Sequence, residues 1–184
     1  LAQMGINKNK KIWSEIIWNA WQSAEPGVLF GDTIEDANLV PHLGKLDATN
    51  PCGEQPLLPY ESCTLGSINL SNHVNTDLLE PTIDWDKLRK TAGYLTLFLN
   101  RVLDKSSLPI AESQQAMQDT RKIGIGIMGL HDMLIQLEIP YDSEKGRWVA
   151  EKVMEFIHKE ADEYSFKLGE EEGLYEAASI GTPV

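Results

Sequence analysis

Residues 48–74 constrain this chain more than any other stretch, because both of its cysteines, Cys52 and Cys63, lie there among prolines and glycines. Cys52 stands between two polar residues, Asn50 and Glu54, at i−2 and i+2. In an extended segment, residues two apart project from one side, so these three can converge on one small polar ligand. Pro51 and Gly53 fill the alternate positions. The first stiffens the backbone, and the second lets it approach a ligand closely. A carboxylate is an unusual neighbour for a thiol that must ionise, since negative charge raises a thiol pKa. The pattern suits a thiol that gives up a hydrogen atom instead of a proton, with Glu54 as a general base toward the ligand.

Length and charge narrow the partners. A chain of 184 residues can bury one sizeable core, and its length favours a single domain. Net charge is −12, from 28 acidic and 16 basic residues, which disfavours phosphate backbones and anionic lipid surfaces. A small nucleotide remains admissible, because one local basic or backbone N–H site suffices for it. No apolar run reaches membrane-spanning length, and residues 1–11 are too polar and basic for a secretion signal. Two cysteines do not make a secreted disulfide scaffold, so a reducing cytoplasm is expected. Cys52, Cys63 and His73 lack the close pairing of zinc ligands, and no metal site is expected. The chain starts at Leu1 and neither end reads as a natural terminus, so it is expected to be an internal fragment.

Along the chain, residues 10–22 read as a helix whose Ile12, Ile16 and Ile17 face is widened by Trp13, Trp18 and Trp21, a stripe expected to be core. Residues 28–30 read as a short buried strand, and the next twenty as loop, with His42 a packing residue. Residues 64–70 suit a strand. Residues 81–104 give the clearest helix: Asp84 is the N-cap, and Trp85, Leu88, Ala92, Leu95, Leu99 and Val102 recur at spacings of three and four. Leu97, Phe98 and Leu103 widen that stripe. Residues 106–119 are polar, a loop or short helix. Residues 124–129 spell G-x-G-x-x-G, yet polar residues precede them and Asp142 does not end a second strand. The glycines therefore read as close strand–helix packing ahead of a helix over 128–137, on which His131 is structural. A last long helix covers 143–168, stopped by Gly173, and loop follows. Short apolar runs alternating with amphipathic helices make the fold class α/β.

The segment Asn50-Pro51-Cys52-Gly53-Glu54-Gln55-Pro56-Leu57, followed by Cys63-Thr64-Leu65-Gly66-Ser67-Ile68-Asn69-Leu70, closely resembles the catalytic finger loop of ribonucleotide reductases, the adenosylcobalamin-dependent class most of all. The resemblance extends to Glu25-Pro26-Gly27-Val28 and Pro41-His42-Leu43-Gly44 upstream, and to residues 121–129 and 139–143 downstream. It is thin over 75–118 and in the last dozen residues. It implies that residues 1–184 are a fragment of one catalytic barrel domain, a helix-rich slice of a ten-stranded α/β barrel with a central finger loop. It implies that Cys52 is the thiyl-radical cysteine that takes the 3′ hydrogen of a ribonucleotide and Glu54 the base for the 3′-hydroxyl proton. Asn50 would hydrogen-bond the ribose hydroxyls. Cys63 would be one half of the redox pair that reduces the 2′ carbon, its partner lying on an upstream strand outside this chain. Adenosylcobalamin would be the cofactor, with a thioredoxin-like or dithiol reductant, nucleotide effectors bound by parts outside this chain, and a homodimer of the full-length protein.

Blander readings stand beside these. Cys63 can be core packing, Glu54 a surface acid, and Asn50 before proline a turn former. The fixed distance between the two motif blocks favours the joint catalytic reading. Two other functions remain open: a large subunit served by a separate metallocofactor radical protein, and a non-catalytic helical interaction module or remnant.

Overall fold

The computed structural model describes residues 2–77 and 80–179, with side chains described over 10–77 and 80–178. They fall in two compact units, residues 1–41 and 42–184. In the first unit, helix α1 spans Ala2–Ser23. Trp13, Trp18 and Trp21 are 58%, 59% and 76% exposed, which corrects the reading of that stripe as core. Helical spacing suffices to form the helix, but burial needs a partner surface that the described residues do not supply. Residues 28–30 are irregular and exposed where a buried strand is expected. An apolar run becomes a strand only with a neighbour to receive its hydrogen bonds. A short helix, α2, Gly31–Asp36, replaces part of the expected loop.

The second unit is built on a parallel strand pair and its crossover. Strands β1, Ala48–Thr49, and β2, Pro56–Leu57, form an antiparallel hairpin. Strand β3, Thr64–Asn69, follows and runs into a 3-10 turn over Leu70–His73. A second small hairpin pairs β4, Val74–Asn75, with β5, Thr82–Ile83. The chain then crosses over through α3, Trp85–Lys105, and α4, Ala111–Thr120, and returns as β6, Ile123–Met128, parallel to β3 from Thr64↔Ile123 to Asn69↔Met128. Helices α5, Leu130–Gln136, α6, Glu144–Glu172, and α7, Glu176–Ser179, complete it.

Sequence chemistry explains the long helices. Asp84 Oδ1 accepts from the Lys87 N–H at 3.0 Å, and Ser143 Oγ accepts from the Gly146 N–H at 2.9 Å. Each cap satisfies one of the donors a helix start leaves unpaired. Leu88, Ala92, Leu99 and Leu103 of α3 are buried, and the first two join Ile68, Leu70, Met133, Val149, Val153 and Ile157 in one core. Phe98, expected in that stripe, is exposed at 62%. Gly93 brings α3 against α6, since a Cβ there would stand 2.6 Å from the Tyr164 ring. His73 is buried, with Nδ1 2.9 Å from the Asn69 carbonyl oxygen and Nε2 2.9 Å from Thr91 Oγ1, a structural role.

The glycine-rich segment lies elsewhere than a phosphate-binding turn. Gly124 and Gly126 are inside β6, and only Gly129, at φ +68°, begins a helix, α5. A dinucleotide fingerprint needs its first glycine at the turn after the strand, so that reading fails. A Cβ at Gly66 on β3 would stand 2.7 Å from Leu95 of α3, so a second glycine serves the strand–helix contact. The described strands form three pairs and no closed barrel.

Candidate active site

The loop joining β1 to β2 carries Asn50, Cys52 and Glu54. Its six residues are not extended: the Asn50 N–H donates to the Gln55 carbonyl at 3.3 Å, and the Gly53 N–H to the Asn50 carbonyl at 3.0 Å. Gly53 sits at φ +82°, where an L side chain is strained. The argument from alternation along a strand is therefore corrected. A turn, not a shared strand face, brings the three residues to one tip. Asn50 Oδ1 accepts from the Gln55 N–H at 2.9 Å, so Asn50 does form a turn, and its Nδ2 is the group that can donate to a ligand. Cys52 and Glu54 are exposed at the tip.

Cys63 immediately precedes β3 and is half-buried, with Sγ 3.9 Å from the Thr64 carbonyl oxygen. Burial foremost pushes its thiol up from 9.0 to about 11; Lys122 opposes this, and Glu61 and Glu54 add to it. At neutral pH Cys63 is a protonated thiol. The influence of Glu54 ties the hairpin tip to the Cys63 end of β3. So does Gly124, where a Cβ would overlap Leu65 and stand 2.7 Å from Gln55 Nε2 and 3.5 Å from Cys63 Sγ. Gln55 from the hairpin and Cys63 thus meet over a strand residue that has no side chain.

Two residues at this site, Lys122 and Glu61, escape a sequence reading. Lys122 Nζ donates to Glu61 Oε2 at 2.6 Å and to the Pro56 carbonyl at 3.3 Å. The Leu58 N–H donates to the same Glu61 oxygen at 2.8 Å. No local signal marks Glu61 or Lys122, since a charged residue in a polar segment reads first as a solvated side chain. Among the described residues no group of three or more His, Cys, Asp or Glu is arranged to hold a metal ion. No helix in them is long and apolar enough to cross a membrane.

An exposed thiol and carboxylate thus sit on one tight hairpin, with a second thiol just ahead of a parallel strand, groups capable of thiol chemistry. The ribonucleotide reductase barrel domain model matches residues 3–179. The chain is 48% identical over 170 residues to a vitamin B12-dependent ribonucleoside-diphosphate reductase of Thermoplasma acidophilum, an alignment covering 92% of this chain and 22% of that protein. It is 46% identical to the protein of the same name from Mycobacterium tuberculosis, covering 91% and 24%. The alpha subunit of a ribonucleoside-diphosphate reductase from Chlamydia pneumoniae is 31% identical, covering 95% and 17%. The chain belongs to the ribonucleotide reductase family, within its barrel domain. It spans under a quarter of the length of these relatives.

Proposed function

We propose that this chain is part of a single catalytic barrel domain, a slice of a ten-stranded α/β barrel, in a cytoplasmic reductase that converts ribonucleotides to deoxyribonucleotides. The hairpin that presents Cys52 and Glu54 on one tip, with Cys63 behind it, carries this reading. A Cys52 thiyl takes the 3′ hydrogen atom of the ribose and becomes a thiol. Glu54 accepts the 3′-hydroxyl proton, and Asn50 Nδ2 holds a ribose hydroxyl. The 2′ hydroxyl leaves as water. Cys63 and a second thiol, from a strand outside this chain, supply two electrons and two protons and become a disulfide. Cys52 then returns the hydrogen atom to C3′, and Glu54 returns its proton to the 3′ oxygen. A dithiol reductant of thioredoxin type restores the pair, and effector nucleotides bind parts outside this chain, in a homodimer of the full-length protein.

Adenosylcobalamin is the radical source of this reading, since the relatives at 46–48% identity carry vitamin B12 in their names. When bound, it would supply the radical for the reaction. Two cavities of about 300 and 280 Å³ are both too small for a corrinoid, and neither is lined by Cys52. The chemistry of this chain starts at Cys52 Sγ. The second reading, a large subunit served by a separate metallocofactor protein, draws on the Chlamydia pneumoniae relative.

The test uses the full-length parent. Turnover with adenosylcobalamin and no second protein is expected, and Cys52→Ser abolishes it while nucleotide binding survives, because a hydroxyl holds its hydrogen atom too firmly. Deoxynucleotide production by the serine variant at the wild-type rate sinks the assignment. Turnover only on adding a metallocofactor subunit selects the second reading.

A further inference from the structure

Lys122 joins three segments. Its ammonium holds Glu61 at 2.6 Å and the Pro56 carbonyl at 3.3 Å, while its own carbonyl accepts the Thr64 N–H at 3.3 Å. Pro56 belongs to the hairpin, Glu61 to the turn after it, and Thr64 opens β3. Cys63 lies between the last two, so both of its flanks are tied to one residue. The preceding residue, Arg121, fixes where that tie starts. Its backbone is left-handed, at φ +45°, and its guanidinium donates to Asn100 Oδ1 at 2.8 Å and to Asp104 Oδ1 at 2.7 Å.

The ion pair is a poor choice for stability alone. The Glu61 side chain is 0% exposed and Lys122 25%. Glu61 Oε1 is the buried side-chain polar atom without a partner among the described residues. A buried pair of this kind is often matched or bettered in stability by apolar residues of similar volume. Something other than stability accounts for charges here, and the residue held between them is a thiol. We infer that Lys122 and Glu61 are positioning residues for Cys63, fixing the thiol between the hairpin and β6 and setting the charge it meets during reduction. The inference rests on the reading of Cys63 as a redox thiol. Lys122 from the lead-in to β6, Glu61 from the turn and Glu54 from the hairpin tip are the charges that act on it. Lys122 favours Cys63 as a thiolate, the form in which its sulfur leaves when the reductant's thiolate attacks the disulfide, and the two carboxylates oppose it.

The experiment uses the full-length reductase with its radical source and compares Lys122→Met/Glu61→Gln, Lys122→Arg, Glu61→Gln and Cys63→Ser. Readouts are dithiol-driven kcat and KM, and peptide-resolved alkylation of Cys63 against pH. In the double variant no buried charge is stranded, so folding should persist. Its kcat should fall on the order of tenfold to a hundredfold, as misplacement of a reacting group does, with KM unchanged and an altered alkylation profile. Glu61→Gln alone should shift alkylation to lower pH, because a negative charge beside the thiol is gone. Lys122→Arg, which keeps the cation, should stay within about threefold of wild type, well inside the loss expected from misplacement. It decides the matter if the double variant does not fold, a loss of tenfold or more in Lys122→Arg overturning the inference. Wild-type kcat in the double variant, or lost turnover with an unaltered alkylation profile, also overturns it. If Cys63→Ser turns over normally, the redox reading of Cys63 fails and takes this inference with it. If Cys63→Ser is inactive and the double variant is normal, the redox reading stands and only the positioning role is lost.

Discussion

Glu54 has a proposed role toward a ribose hydroxyl and a charge that raises the Cys63 thiol, and its replacement separates the two. As the base for a hydroxyl proton it should contribute about a hundredfold to ten-thousandfold, the usual range for general base catalysis. In Glu54→Gln, turnover of the full-length protein should fall by that factor, since an amide does not accept the proton. Its charge also raises the Cys63 thiol. The same variant should therefore alkylate at Cys63 at somewhat lower pH. Unchanged turnover removes Glu54 from the chemistry whatever the alkylation does. Cys63 supplies a second prediction through linkage. Its thiol is raised from 9.0 to about 11 on folding, so between those values the native state holds a proton that the unfolded state has released. The resulting stability is fully present below pH 9 and is lost as pH rises toward 11. Urea midpoints measured from pH 8 to 11 should fall more steeply in the wild type than in Cys63→Ser. Parallel curves mean that burial does not perturb this thiol.

Among the elements, α3 and α6 meet closely at Gly93. A Cβ at Gly93 would press on the Tyr164 ring at 2.6 Å, and ring atoms on a packed helix yield little. Gly93→Ala should cost about 1–3 kcal/mol by overpacking, against the gain of up to about 1 kcal/mol that alanine brings to a helix interior. A lowered urea midpoint checks it, and a raised one means that the helices separate without cost. The same helices were legible in the sequence because apolar residues at spacings of three and four, the cap Asp84 and the stop at Gly173 all act locally. Strand β6 was not, because glycines occupy the alternate positions that would otherwise display a strand period. The hairpin was legible in its residues and misread in its shape. Nothing local tells an extended Asn50–Glu54 segment from a turn that Asn50 closes with its own side chain. The exposed run at 28–30 failed for the opposite reason, since its composition is that of a strand and its missing partner is not a local property.

At the scale of the whole molecule, two opposing terms decide how residues 1–184 behave alone. Strands β3 and β6 pair with each other and with no other described strand, so each keeps an open edge able to recruit another chain. Trp13, Trp18, Trp21, Phe30, Leu39 and Phe98 add large exposed apolar surface. A net charge of −12 pushes copies apart. Repulsion between exposed charges is screened beyond about 10 Å at 0.1 M salt and about 3 Å at 1 M, whereas apolar contact and strand pairing are not weakened by salt. The isolated chain should therefore be catalytically inactive and should associate, with the associated fraction growing as sodium chloride rises from 0.05 to 1 M. Light scattering across that series reads the answer directly. Self-association that grows with salt identifies open edges and apolar faces as the driving surfaces. Dissociation on adding salt would assign the contacts to charge pairs instead. A monodisperse monomer at every salt concentration, unfolding in one cooperative transition, would count against the chain being a slice of a barrel whose strands have neighbours on both sides.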